Sequence, residues 1–322
     1  MRAAGVTGIG AAAGPLELPE PAFPQAGQVL IEARACGVGN WDDIVRTGGW
    51  DTGARPPMAL GVEAAGLVAA VGAGVGHLRP GDAVTTHAIP AGTWAERFIA
   101  AAGQVSLVPA GVPMAAAAAL PVPALTADQA LAAVAVRPGE TVLVHGAGGV
   151  TGGLVVQLAA RLGARVIATA SGASAARARA LGAAEVLDYR DPGWPERVRA
   201  LTGSDAGADA AVNAARAGAA DAVRAVRDGG RLATITSDLP PAGRGIVLAG
   251  IVVEPDGARL GRLAGLLAQG TITVTTLPAF GFAAAAAALA RVRQGTHGAA
   301  VVLDPGLRSA GPDPASGGAR AG

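Results

Sequence analysis

Apolar and polar positions change rhythm twice along this chain. Through the first hundred or so residues the apolar stretches are short and interrupted by glycine and proline, at residues 28–35, 62–71, 82–86 and 96–100. Short runs between such breakers predict the strands of a β-rich, barrel-like domain. After the proline cluster at 121–123 the spacing turns helical over 124–134, and strand-like and helix-like segments then alternate. Segments 185–187, 209–213, 231–236 and 246–253 read as strands, and 195–201, 219–226 and 258–269 as helices, which predicts a parallel, doubly wound sheet. From 271 to 303 a strand-like TITV, an alanine-rich helix and the apolar run 299–303 return to the first texture. The expected organisation is one domain from 1–122 and 272–308, with 123–271 inserted as a second. Residues 309–322, SAGPDPASGGARAG, offer nothing to bury and are expected to be disordered.

The densest signal lies in 141–171, TVLVHGAGGVTGGLVVQLAARLGARVIATAS. A β-branched and apolar run leads into Gly146, Gly148, Gly149, Gly152 and Gly153, and Leu154, Val155, Leu158, Ala159 and Leu162 follow at helical spacing. Gly163 supplies the stop, and 165–170 return to strand composition. Strand, glycine turn and helix in that order let a backbone approach a pyrophosphate at a helix N-terminus, and this context separates the pattern from a chance run in a chain with 49 glycines. Gly146, Gly148, Gly149, Val150, Thr151 and Gly152 are the expected phosphate-turn residues.

The second strand ends in Ala168, Thr169, Ala170, Ser171 and Gly172, without the carboxylate that usually holds an unphosphorylated ribose. Ser171 and Ser174 offer hydroxyls there, and Arg177 and Arg179 offer guanidinium groups. NADPH is therefore expected rather than NADH, with Ser171 and Arg177 at the 2′-phosphate. A solvated helix face is the other reading of either arginine. Asn213 and Thr236 end successive predicted strands on the side where open α/β sheets bind ligands.

Composition narrows the possibilities further. A net charge of +1 from 25 basic and 24 acidic residues, scattered without long runs, gives no footprint for nucleic acid or a membrane surface. One cysteine, Cys36, excludes an intramolecular disulfide and a multi-cysteine zinc site. With no apolar run approaching the ~18 residues of a membrane span, the expectation is a soluble cytoplasmic protein.

Several segments together resemble the medium-chain dehydrogenase/reductase superfamily, in its zinc-free quinone oxidoreductase branch. They are ACGVGNWDDIVRTGGW, LGVEAAGLVAAVGAGVGHLRPGDAV, GTWAERF, LPVPALTADQAL, HGAGGVTGGLVVQLAARLGA and LGAAEVLDYRD, in matching order and spacing from about Val29 to Leu303. The resemblance implies an α/β protein in which a GroES-like β-barrel catalytic domain joins a doubly wound parallel-sheet Rossmann domain. Metal-dependent relatives place ligands where this chain has Gly39 and Val62, neither of which coordinates, so no metal is expected. Without a Lewis acid, alcohol oxidation loses its alkoxide stabiliser, whereas a conjugated acceptor spreads its own developing charge.

The expected activity is thus NADPH-dependent hydride transfer to a small-molecule quinone or other α,β-unsaturated carbonyl. Enoyl-thioester reduction and a non-catalytic NADPH-binding sensor or structural protein are the alternatives. The resemblance implies Asn40 as a donor to the acceptor oxygen, displaced by one residue from the usual position, which falls on Gly39. It implies Thr126 beside the nicotinamide, where an ordinary helix cap is the other reading, and Tyr189 against the 2′-phosphate. Asp42 and Asp43 are read either as proton relays or as helix N-terminal carboxylates. Arg46 is read as an ion-pair partner. Ile44 stands where relatives often have tyrosine. A homodimer is expected through the apolar edge at 246–253.

Overall fold

The computed structural model describes residues 1–203 and 206–308, so the expected disordered tail, 309–322, lies outside the described residues. Two compact units emerge. Among the described residues, the first comprises Met1–Val122, Pro255–Gln269 and 274–308; the second comprises Pro123–Glu254 and Gly270–Thr273.

The first unit opens with β1 (Arg2–Val6), β2 (Gly14–Glu17), β3 (Gln28–Val38), α1 (Asn40–Arg46), β4 (Met58–Ala59), β5 (Glu63–Val71), β6 (Ala83–His87), β7 (Arg97–Ala101), β8 (Val105–Leu107) and α2 (Met114–Ala118). Strands β2, β1 and β4 form a small antiparallel sheet. The larger antiparallel sheet is anchored on β3, which pairs with both β5 and β7. Val29, Ile31 and Ala33 alternate inward along β3 and meet Leu60, Val84, Trp94 and Leu303 in one core. Full burial of each large side chain contributes ~1.5–3 kcal/mol, which is why short apolar runs between glycine and proline were enough to locate β3, β5, β6 and β7.

Helix α3 (Pro121–Ala133) leads into the second unit, beginning earlier than the expected residue 124. Proline is tolerated in a first helical turn, where an amide lacks an acceptor in any case, so the proline cluster starts the helix instead of preceding it. Next come β9 (Thr141–His145), α4 (Val150–Arg161), β10 (Arg165–Thr169), α5 (Gly172–Ala180), β11 (Glu185–Leu187), α6 (Trp194–Leu201), β12 (Ala208–Asn213), α7 (Ala219–Arg224), β13 (Val226–Thr234) and β14 (Val247–Gly250). The six strands form one sheet in the order β11-β10-β9-β12-β13-β14, parallel throughout. Alternation of strand and helix produces this doubly wound arrangement because each crossover must traverse a sheet face.

Two segments depart from the sequence reading. Helix α8 (Gly257–Ala268), expected with the parallel sheet, belongs to the first unit: a Cβ on Gly257 would stand 2.6 Å from the Val105 carbonyl, so only glycine lets α8 come so close to β8. The TITV segment forms no strand. Thr273 N donates to Gln157 Oε1 at 2.7 Å and Gln157 Nε2 donates to Thr273 O at 3.2 Å, so one glutamine side chain takes both ladder bonds. Helix α9 (Ala285–Gln294) and β15 (Val301–Leu303) complete the first unit, β15 pairing antiparallel with β3. Among the described residues no helix is long and apolar enough to cross a membrane.

Candidate functional site

The glycine turn of the second unit is built by close backbone approaches. Gly146, at φ +90°, lies under the loop following β12, where a Cβ would stand 2.8 Å from Ala215 N. Gly152 is packed against the turn itself, with 2.2 Å between its hypothetical Cβ and Gly146 O. The Thr169 hydroxyl at the end of β10 accepts from Gly146 N at 3.1 Å, and Thr169 O accepts from Ala147 N at 3.0 Å, pinning the turn to the neighbouring strand. Gly149 is exposed and caps α4 in extended conformation, and Val150 and Thr151 open the helix, half-buried. First-turn amides have no acceptor within their own helix, so this end of α4 presents donors to an anion.

Beneath the turn, His145 Nδ1 lies 2.6 Å from Thr169 Oγ1 and its ring stacks on Trp194 at 4.6 Å. Burial, opposed by Asp221 and Asp238, pushes the imidazole below its ordinary pKa and favours the neutral ring. Asn213 is fully buried, and its amide is already engaged: Nδ2 donates to Thr234 Oγ1 at 3.0 Å and Thr236 Oγ1 at 2.9 Å, while Oδ1 accepts from Ala215 N at 3.1 Å. Both threonine hydroxyls donate to Asp238 Oδ1, at 2.6 and 2.7 Å, and Ala219 N donates to Oδ2 at 3.1 Å. Partial burial alone would raise the Asp238 carboxyl, but these donated bonds outweigh it and hold the group below the usual carboxylate range. Asn213 and Thr236 therefore shape the strand ends through Asp238, which the sequence reading did not single out although it follows directly in TITSDLP.

At the end of β10, Ser171 caps α5 without a side-chain bond to the helix. Ser174 lies against the turn, 3.2 Å from where Gly148 would carry a Cβ. Arg177 extends from α5 toward α4. Its guanidinium lies against α4, with Nη2 2.9 Å from the Cβ position of Gly153, and desolvation lowers its pKa from the ordinary arginine value. Tyr189 is half-exposed after β11, and the neighbouring Arg190, unmarked in the sequence reading, brings Nη2 to 3.8 Å from the Cβ position of Gly172. Thr126 is buried inside α3, past its first turn, and so is not the helix cap.

In the first unit, α1 begins at Asn40, whose side chain is exposed. Its N-terminus is closed by Asp42, which accepts from Gly39 N at 2.8 Å through Oδ2; Oδ1 is buried with no partner among the described residues. Burial, partly offset by the Gly39 amide and reinforced by Asp43, pushes the Asp42 carboxyl up to about 8. Buried Glu63 is likewise raised well above its ordinary value, chiefly by desolvation, despite the bond it accepts from Val122 N at 2.8 Å. Asp43 and Arg46 form an ion pair at 2.7 Å, and Arg46 also bonds the carbonyls of Gly10 and Ala11, which gives this arginine its structural role.

Gly39 and Val62 carry no side chain that can ligate a metal ion. Val62 is buried and apolar, the Cys36 thiol bonds Thr93 O at 3.0 Å, and burial raises the thiol's pKa. Among the described residues no three His, Cys, Asp or Glu side chains gather to hold an ion. His87, next to Val62, lies with Nδ1 3.0 Å from the Val62 carbonyl, facing backbone.

These features agree with known families. Residues 25–111 match the alcohol dehydrogenase GroES-like domain and residues 150–250 match the family described as zinc-binding dehydrogenase. The chain is 34% identical over 301 residues, 88% of its length, to the pikromycin polyketide synthase component PikAII of Streptomyces venezuelae, of which the match covers 8%. It is 34% identical over 184 residues to the quinone oxidoreductase of Sus scrofa, covering 56% of each chain. A mycobacterial protein solved as a complex with NADPH superposes with TM-score 0.83 at 30% identity, covering 95% of this chain and 100% of that one. Each of the two curated relatives is thus matched over little more than half its length or less. The chain belongs to the medium-chain dehydrogenase/reductase superfamily, in its quinone oxidoreductase-like branch.

Proposed function

We propose that the chain is an NADPH-dependent oxidoreductase that delivers hydride to a quinone or another α,β-unsaturated carbonyl without a metal ion. The carrying observation is the Gly146–Gly152 turn, whose close contacts leave the head of α4 open as a pyrophosphate cradle. NADPH, when bound, supplies the hydride. The protein's part is to fix the pyrophosphate on the Val150 and Thr151 amides and to orient the ring; Thr126 is proposed to support the nicotinamide and Asn40 to donate to the acceptor oxygen. Gly39 and Val62 cannot ligate an ion, which favours an acceptor whose own conjugation spreads negative charge.

One observation favours a second reading. Similarity to a polyketide synthase component runs over 88% of this chain, farther than the 56% matched to the quinone oxidoreductase, and supports reduction of an enoyl thioester. Purified protein with NADPH, challenged in parallel with quinones, simple enones and crotonyl thioesters, separates the readings by which acceptor gives the highest kcat/KM. Saturable NADPH binding without turnover on any of these acceptors would sink both. A homodimer joined at the edge of β14, where Val247 is 62% exposed, is proposed as the assembly.

A further inference from the structure

We propose that Arg190, rather than Arg177, is the residue that distinguishes NADPH from NADH in this chain, by binding the adenosine 2′-phosphate over Gly172. The inference rests on the cofactor reading above and deepens it.

In a doubly wound sheet the ribose lies at the C-terminal end of the strand following the glycine-turn strand, which is the end of β10 at Ser171 and Gly172. Arg177 lies further along α5. Both of its terminal nitrogens approach Gly153 in α4, 2.9 and 3.1 Å from the Cβ position, and Leu181 lies beside the same point at 3.1 Å. Swinging that guanidinium to Gly172 would uncover the seam between α4 and α5.

Arg190 already reaches the required place. It follows β11, the strand paired with β10, and its Nη2 stands 3.8 Å from the Cβ position of Gly172, within van der Waals reach of that strand end. Asp188 fixes the guanidinium from one edge: Nε lies 3.0 Å from Oδ1 and Nη2 2.6 Å from Oδ2. Nη1 has no partner among the described residues, which leaves donors directed away from Asp188 for a second anion. Planar guanidinium can engage two anions on different edges, and orientation by the first lowers the ordering cost of binding the other. The pair is exposed, so solvent screens the repulsion between the Asp188 carboxylate and an arriving phosphate. Ser171, with its hydroxyl uncommitted to capping, and half-exposed Tyr189 flank the same end of the strand.

The test is a binding titration with NADPH, NADH, 2′,5′-ADP and 5′-AMP on the full chain, repeated at low and high salt. Arg190→Ala is expected to weaken NADPH and 2′,5′-ADP at least about tenfold, leaving NADH and 5′-AMP unchanged, which also reports an intact fold. The salt sensitivity of NADPH binding should fall with it. Arg177→Ala should move NADPH and NADH together. An unchanged NADPH to NADH ratio in Arg190→Ala, or a change confined to Arg177→Ala, overturns the assignment. So does a wild-type protein that binds NADPH and NADH alike, while the cofactor reading survives. If the wild type binds neither nucleotide, that reading falls and the assignment falls with it.

Discussion

The indole of Trp41 occupies the space that a side chain on Gly39 would need. A Cβ on Gly39 would stand 2.2 Å from Trp41 Cε2 and Cζ2, so any larger residue at 39 must push the ring aside. The two positions act as a unit, with glycine admitting the indole and the indole filling the place from which a residue 39 side chain would project.

Gly39→Ala should therefore destabilise the protein by about 1–3 kcal/mol through overpacking, read as a fall in the urea midpoint at constant m. In a Trp41→Ala background the same change should cost much less. Equal costs in both backgrounds would mean the ring moves away freely and the proposed coupling is absent.

Asp42 gives stability a pH dependence whose sign follows from its burial. Its folded-state pKa, pushed up to about 8, lies above the ordinary 3.8, so the folded protein keeps a proton that the unfolded chain releases. The contribution is fully present below about pH 4 and is lost as pH rises to about 8, at a limiting slope of ~1.4 kcal/mol per pH unit. Glu63, raised in the same direction, adds to the decline. Asp42→Asn should flatten the stability profile between about pH 5 and 8 in denaturant titrations. A variant whose profile parallels the wild type would show that Asp42 is ionised in the fold.

Gly152→Ala tests the phosphate turn at its tightest point. The added methyl would meet the Gly146 carbonyl at 2.2 Å, and the backbone of Gly146, pinned through its N–H to the Thr169 hydroxyl, cannot yield as a flexible side chain would. Nucleotide affinity is expected to fall at least about tenfold for NADPH and NADH alike, because the damage lies at the shared pyrophosphate. A selective loss of one nucleotide in the same titration would place the effect elsewhere.

The parallel sheet was legible in the sequence because its evidence is local. A five-residue strand, a glycine turn and Leu154, Val155 and Leu158 at helical spacing specify one unit, and repetition of the pattern specifies the sheet. The aim of the side chains was not legible. Arg177 and Arg190 are both polar residues near the same strand end, and which one reaches Gly172 depends on how α5 is rotated against α4. The path after α8 was misread for a related reason: TITV has strand composition, but the Gln157 side chain takes the bonds that a strand partner would have made. Asp238 was passed over since its role arises only when two threonines and the amide of Ala219 converge on it.

The outer edge of β14 supplies the last expectation. Among the described residues β14 pairs only with β13, and Val247, Val252 and Leu239 near it are 62, 73 and 52% exposed. An unpaired strand edge with exposed apolar side chains invites pairing with another chain, and a twofold-related copy would satisfy both edges at once. Val247→Lys would place a charge in that junction, where desolvation opposes it on both copies. Light scattering at matched concentrations should show a dimeric wild type and a shift of this variant toward monomer, with the nucleotide sites intact by titration. A monomeric wild type, or a dimer indifferent to Val247→Lys, would rule out β14 as the joining edge.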